Sequence, residues 1–155
     1  MIFPGHVAAA DLAGRAFKVD RRGSLAACMF PDLVDKPVRW LFHLAPNDRI
    51  PAHTLPFWFL TTVLVRLLAG RRLARGWLVG YGAHLACDQL NASLNPGRIY
   101  PLWPFVHYEM HEGPTGLKSS LADFSPASLA LEASVTVFAL LLWLQRRPGD
   151  KARET

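Results

Sequence analysis

GWLVGYGAHLACDQL, residues 76–90, decides how this chain is read. The stretch is mostly apolar and reads as a helix. Within it His84 and Asp88 stand four apart, so on a helix they share one face a turn apart. An imidazole and a carboxylate in an apolar helix cost several kcal/mol unless they are paired or bind a metal. The pair is therefore either a satisfied hydrogen bond or part of a metal site, and the rest of the chain has to decide.

Upstream, TLPFWFLTTVLVRLLAG (54–70) predicts a helix with Thr54 as N-cap and Gly70 as its stop. RRLAR (71–75) is expected to turn the chain into the helix of 76–90. Residues 5–17 predict a short amphipathic helix, and KVDRRG (18–23) a turn. SLAACMF (24–30) is a second apolar run, expected to end at Pro31 and Asp32. Residues 35–53 are proline-broken, with one helical turn at 37–44. Downstream, NPGRIYPLWPFVHYEMHEGPTG (95–116) reads as a long loop. Residues 126–145 form the last helix, with Pro126 in its first turn. No alternating strand run is present. The expected class is all-α: a compact bundle of four to five short helices, one domain over 1–147 with a polar tail at 148–155.

The chain has 155 residues, 51% of them apolar, and a net charge of +5 from 17 Lys+Arg against 12 Asp+Glu. A mean hydropathy of +0.15 is high for a soluble protein and low for a pure membrane bundle. Cys28 and Cys87 make no disulfide framework and read as small buried hydrophobes. The N-terminus lacks the basic region of a signal peptide. A full membrane span needs roughly 20 apolar residues. Only 126–145 approaches that length, and it carries Glu132; the helix after Thr54 is shorter and carries Arg66. The placement of charge favours a membrane nonetheless. Lys18, Arg21 and Arg22 lie in one turn, Arg71, Arg72 and Arg75 in another, and Arg146, Arg147, Lys151 and Arg153 follow the last helix. If the helices alternate in direction, all three clusters fall at one end, which is the positive-inside pattern. The expectation is a multi-pass inner-membrane protein with these turns in the cytoplasm.

The same alternation gathers His6, Asp32, His53, His84 and Asp88 at the opposite end, facing outward. Each alone has an ordinary explanation. His6 can be a solvated N-terminal residue, Asp32 a turn or cap residue after a proline, His53 part of a turn, and His84 with Asp88 a hydrogen-bonded pair. Together they suit Zn²⁺ or another divalent ion such as Mn²⁺, whose charge would lower the pKa of an attacking water. Asp35 is either a group that orients a ligand, a helper in deprotonating water, or a turn carboxylate. His107 and His111, four apart in HYEMHEG, are a rim or second-site candidate, and His43 is a weaker one.

An early His (His6), then FPDLVD (30–35), AHTLPF (52–57), and GYGAHLACDQLN (80–91) followed by RIYPLWPF (98–105), resembles the membrane-bound metal-dependent hydrolases of the YdjM type. The resemblance covers roughly residues 1–105. It implies a relation to the all-helical zinc-dependent phospholipase C and S1/P1 nuclease group. By that pattern Asp32, His53, His84 and Asp88 form the main metal site, and His6 joins a bridging Asp88 in a second. This chain departs from the pattern in two ways. DRIPAHTLPF has a single His and no Ser after Thr54, and the later His-x-x-x-Glu pair of the secreted enzymes is missing. One or two metal ions are therefore expected, most simply zinc.

The resulting expectation is a metal-dependent phosphoesterase, with Asp32 or Asp35 assisting deprotonation of water and Arg49 or Arg98 binding phosphate. Its substrate would be a small-molecule or lipid phosphoester. The rival is a non-catalytic membrane protein in which the same residues form a structural metal site or an ion path. Nucleic-acid binding is a third reading, weakened because the basic residues group at helix ends and no recognised motif is present.

Overall fold

The computed structural model describes residues 3–94, 99–110, 112 and 125–145, and all its regular structure is helical. Five helices are described: α1 (Phe3–Ala16), α2 (Arg21–Trp40), α3 (Leu55–Leu68), α4 (Gly70–Leu94) and α5 (Pro126–Leu144). The all-α expectation holds.

Local sequence explains most of the helix ends. Thr54 caps α3 by accepting from the Phe57 N–H, with Pro56 in the first turn. Ser125 caps α5 in the same way, through the Ser128 N–H. Asp20 caps α2 through the Gly23 N–H. Gly70 takes a positive φ of 87° between α3 and α4, a conformation that glycine adopts without steric cost.

Arg21–Gly23, expected within a turn at 18–23, already belong to α2 behind its cap Asp20, and two further expectations are corrected. The turn into α4 is the corner at Ala69–Gly70, and Arg71–Arg75 already belong to the helix, which runs on to Leu94. Once Gly70 has made the corner, nothing in RRLAR resists the helix. The second correction is larger: α2 does not end at Pro31 but continues through Pro31 and Pro37 to Trp40. An interior proline removes one helical hydrogen bond and strains the preceding turn. Here packing of α2 along α4 offsets that cost. As a result Asp32 and Asp35 sit about one turn apart on a single helix instead of in a turn.

The α2–α4 contact is made by missing side chains. A Cβ at Gly80 would lie 2.0 Å from the Ser24 carbonyl oxygen, and one at Gly76 would lie 2.3 Å from that of Asp20. The two backbones therefore touch, as they do where small residues recur every fourth position. Ser24 meets Gly80, and one turn later the Cys28 carbonyl meets His84, so α2 and α4 run parallel. The corner at Gly70 makes α3 antiparallel to both.

α1 is antiparallel to α4 as well, because His6 reaches Asp88 while Arg15 and Lys18 share a cleft with Arg71 and Arg75. α5 starts beside Asn91, bonded through the Ser128 hydroxyl, and Glu132 accepts the Gly5 N–H at the start of α1. Glu132 is thus a partner for a free helix-end donor. The basic residues around 18–22 and 71–75 lie at one end and the His/Asp residues at the other, as the alternation requires. The basic residues after 145 and the polar tail lie outside the described residues.

Polarity is distributed inside out. Phe59, Leu67 and Leu68 of α3 and Val137, Phe138 and Leu144 of α5 are more than half exposed, whereas Ser24, Asp35, His53, His84 and Asp88 are buried. Among the described residues α5 alone is long and apolar enough to cross a membrane.

Candidate metal centre

Four segments meet at the end opposite the basic turns. α1 brings His6, α2 brings Asp32 and Asp35, the loop before α3 brings His53, and α4 brings His84 and Asp88. The loop is held against α2 by Asp35, which is fully buried and accepts the N–H groups of Ala52 (2.8 Å) and His53 (3.1 Å). The Tyr81 hydroxyl of α4 donates to the Ala52 carbonyl from the other side. A small apolar cluster of Ala45, Ile50 and Tyr100 packs the loop on the segment after α4.

Hydrogen bonds set the histidine tautomers. His84 Nδ1 lies 2.6 Å from the Cys28 carbonyl oxygen, which can only accept, so Nδ1 carries the hydrogen. His53 Nδ1 lies 2.7 Å from Asp35 Oδ2 and donates likewise. In the neutral rings both Nε2 atoms then present lone pairs, and they stand 3.1 Å apart, facing each other. Asp88 Oδ2 is 3.2 Å from His53 Nε2 and 3.7 Å from His84 Nε2. Asp88 Oδ1 is 3.3 Å from His6 Nε2, and Asp32 Oδ1 is 3.6 Å from His53 Nε2. The His6 ring stacks on His84 at a centroid distance of 3.9 Å.

Two bare nitrogens and two carboxylates around one point repel one another unless a cation lies between them. A proton is one such cation. Burial opposes charge on His53, but its hydrogen bonds to Asp32, Asp35 and Asp88 outweigh burial and hold its pKa well above the usual histidine range. A metal ion is the other. Tetrahedral bonds of roughly 2.0–2.1 Å place ligand nitrogens about 3.3 Å apart, close to the spacing observed. Ligand atoms of His53, His84 and Asp88, and likewise of His6, Asp32 and His84, lie within 4.8 Å of one another. The donor set therefore fits a zinc-class ion, with Asp88 reaching both groups through its two oxygens.

All five residues expected as ligands are brought together. Asp35 sits behind His53, and its contacts are those of an orienting group. Arg49 lies at the rim, with Nη1 3.4 Å from Asp88 Oδ2 yet buried and without a hydrogen bond. His43 and His107 are exposed, off any helix, and take no part in the cluster. His111 and Arg98 lie outside the described residues. Sequence reading missed Lys36, whose Nζ is 2.7 Å from Asp32 Oδ2 at i,i+4. That spacing is legible only if α2 continues through Pro31. The Cys28 carbonyl left no sequence signal at all. The Cys28 and Cys87 thiols are free, as expected.

Fold and centre together define an all-helical protein with a buried histidine–aspartate cluster at one end. The chain belongs to the YdjM inner membrane protein family, whose family model matches residues 2–148. No curated protein matches the chain, and neither does any solved structure.

Proposed function

We propose that the protein is a multi-pass membrane hydrolase, dependent on one or two zinc-class ions, that cleaves phosphoesters. The observation that supports this reading is the facing of the His53 and His84 Nε2 atoms, 3.1 Å apart and beside Asp88 Oδ2. A hydrogen-bonded His/Asp pair needs neither a second histidine nor a tautomer fixed from behind on both rings. An ion held there would polarise a phosphoryl oxygen and favour ionisation of water. His53, His84, Asp88 and Asp32 would hold it, and His6 with Asp88 would hold a second.

Hydrolysis forms one P–O bond from water and breaks the P–O bond to the leaving alcohol, which takes one of the water's protons. We assign the other proton to Asp32, whose carboxylate is the least buried of those in the cluster and pairs with Lys36 Nζ at 2.7 Å. Asp35, committed to the Ala52 and His53 N–H groups and to His53 Nδ1, positions His53. Arg49, whose buried Nη1 stands 3.4 Å from Asp88 Oδ2, would reach a phosphate oxygen at the rim of the centre.

A closed structural site would have no approach for substrate. Here a cavity of about 300 Å³ borders both His53 and Asp88, which favours catalysis over a structural ion. The exposed apolar faces and buried polar groups support membrane embedding. The basic turns support a cytoplasmic placement of that end. The test is hydrolysis of a chromogenic phosphodiester by zinc-loaded protein in detergent. Activity should fall by orders of magnitude in Asp32→Asn. Rates equal to those of His84→Ala for every phosphoester tried would remove the hydrolase reading.

A further inference from the structure

The cavity beside the centre has a composition that a water-soluble phosphoester does not require. One end is Arg49, His53 and Asp88; the walls are Leu55 and Trp58 of α3, Leu85 and Ala86 of α4, and Ile99 and Pro101 after α4. On α4 the lining residues Gly82, Leu85, Ala86 and Gln89 follow helical i, i+3, i+4, i+7 spacing, so they form one stripe facing α3. The stripe is open because residue 82 has no side chain: a Cβ there would stand 3.1 Å from the Trp58 ring. Trp58 is held in place by its indole N–H, which donates to the Leu78 carbonyl at 3.2 Å. The volume lies at the small end of the roughly 300–1,000 Å³ range of ligand pockets. Beyond the slot, α3 continues as an exposed apolar face through Phe59, Leu60 and Leu64.

We infer that the substrate is a lipid phosphoester. Its phosphate lies against Arg49 and the His/Asp centre, and the first part of its hydrocarbon chain lies in the slot between α3 and α4. This rests on the phosphoesterase reading of the centre. Two independent features fix the occupant. The charged end offers the Arg49 guanidinium, whose Nη1 pairs with Asp88 Oδ2 at 3.4 Å and would meet a phosphate oxygen where Asp88 turns to an ion. The remaining walls are almost entirely apolar and offer little to a sugar, nucleoside or peptide leaving group, whose polar atoms would be buried without partners. Leu55 of the slot and the exposed Phe59 stand at i,i+4 on one face of α3, which gives a lipid an apolar path to the centre sideways from the bilayer.

The experiment compares chain lengths. Ala86→Phe fills the slot from an exposed position on α4 that is not one of the proposed ligands. In alkyl maltoside micelles, hydrolysis of a long-chain alkyl phosphodiester should fall at least about tenfold, the cost of leaving even two methylenes unburied. Hydrolysis of the methyl analogue should fall far less, and zinc content should match that of the wild type. Equal losses on both substrates, or no loss on either, would overturn the inference while leaving the hydrolase reading intact.

A binding measurement covers the opposite case. A long-chain alkyl phosphate brominated near its head should quench tryptophan fluorescence in the wild type, and less in Trp58→Phe and Ala86→Phe. If that pattern appears in a protein that hydrolyses nothing, the slot stands and the hydrolase reading falls. If the brominated lipid quenches wild type and Trp58→Phe equally, the slot does not hold the chain.

Discussion

At the scale of the residue, the chemistry turns on what stands behind each histidine. Cys28 O and Asp35 Oδ2 fix the hydrogens on His84 and His53, which in the proposed centre leaves the two Nε2 atoms to act as ligands. Asp35→Asn should therefore weaken metal binding about 10–100-fold, the usual effect of losing a group that orients a ligand, although Asp35 never touches the ion. Zinc titration of the apo protein measures this; unchanged affinity would reduce Asp35 to a loop anchor. His53 adds a pH prediction. Its folded pKa is raised, so in metal-free protein the stability it contributes is complete below the unfolded value of about 6.5 and is lost as pH rises through the folded pKa. With zinc bound, the ion replaces the proton and this loss should vanish, because binding is then favoured by the neutral ring. Melting temperatures against pH, with and without zinc, should diverge upward from about pH 6.5; parallel curves would show that proton and ion do not compete. The histidines and aspartates of the cluster were legible in the sequence because buried charge is rare and its spacing is regular. Their partners were not, since a backbone carbonyl such as Cys28 O has no sequence signature.

At the scale of the element, the parallel contact of α2 and α4 aligns the centre. Gly80 at Ser24 sets Cys28 opposite His84 one turn further on. Gly80→Ala drives a methyl into the Ser24 carbonyl and must part the helices. Overpacking of this kind costs about 1–3 kcal/mol. A lower melting temperature should come with weaker zinc binding, because the Cys28–His84 hydrogen bond lies on the same contact. Loss of stability with full zinc affinity would show that the centre does not depend on this alignment. Proline propensity favoured ending α2 at Pro31, and tertiary packing overrode it. The glycines at 76 and 80 were visible in the sequence, but which helix they would meet was not. Thr54, Gly70 and Pro126 were read correctly because caps and corners are local.

At the scale of the whole molecule, alternation of the helices separates a basic end from the end that holds the histidine–aspartate cluster. Along α4, Arg75 and Asp88 are about 20 Å apart at 1.5 Å per residue. Leu44→Cys, exposed on the loop at the metal end, should be labelled by an impermeant thiol reagent added to spheroplasts, in a background without Cys28 and Cys87. Arg72→Cys should be labelled only after lysis; equal labelling from outside would contradict the orientation. This separation was readable from charge clusters, because the basic residues at 18–22 and 71–75 share one end only if the helices alternate. Whether the shorter helices cross the bilayer was not readable, since α3 has the apolarity of a span without its length. The central claim remains that His6, Asp32, His53, His84 and Asp88 form one metal centre, and elemental analysis of the purified protein tests it most directly. Wild type should carry one or two zinc-class ions per chain, and His84→Ala and Asp88→Asn should lose most of them while still folding. Equal metal content in all three proteins, or none in the wild type after zinc loading, would contradict it.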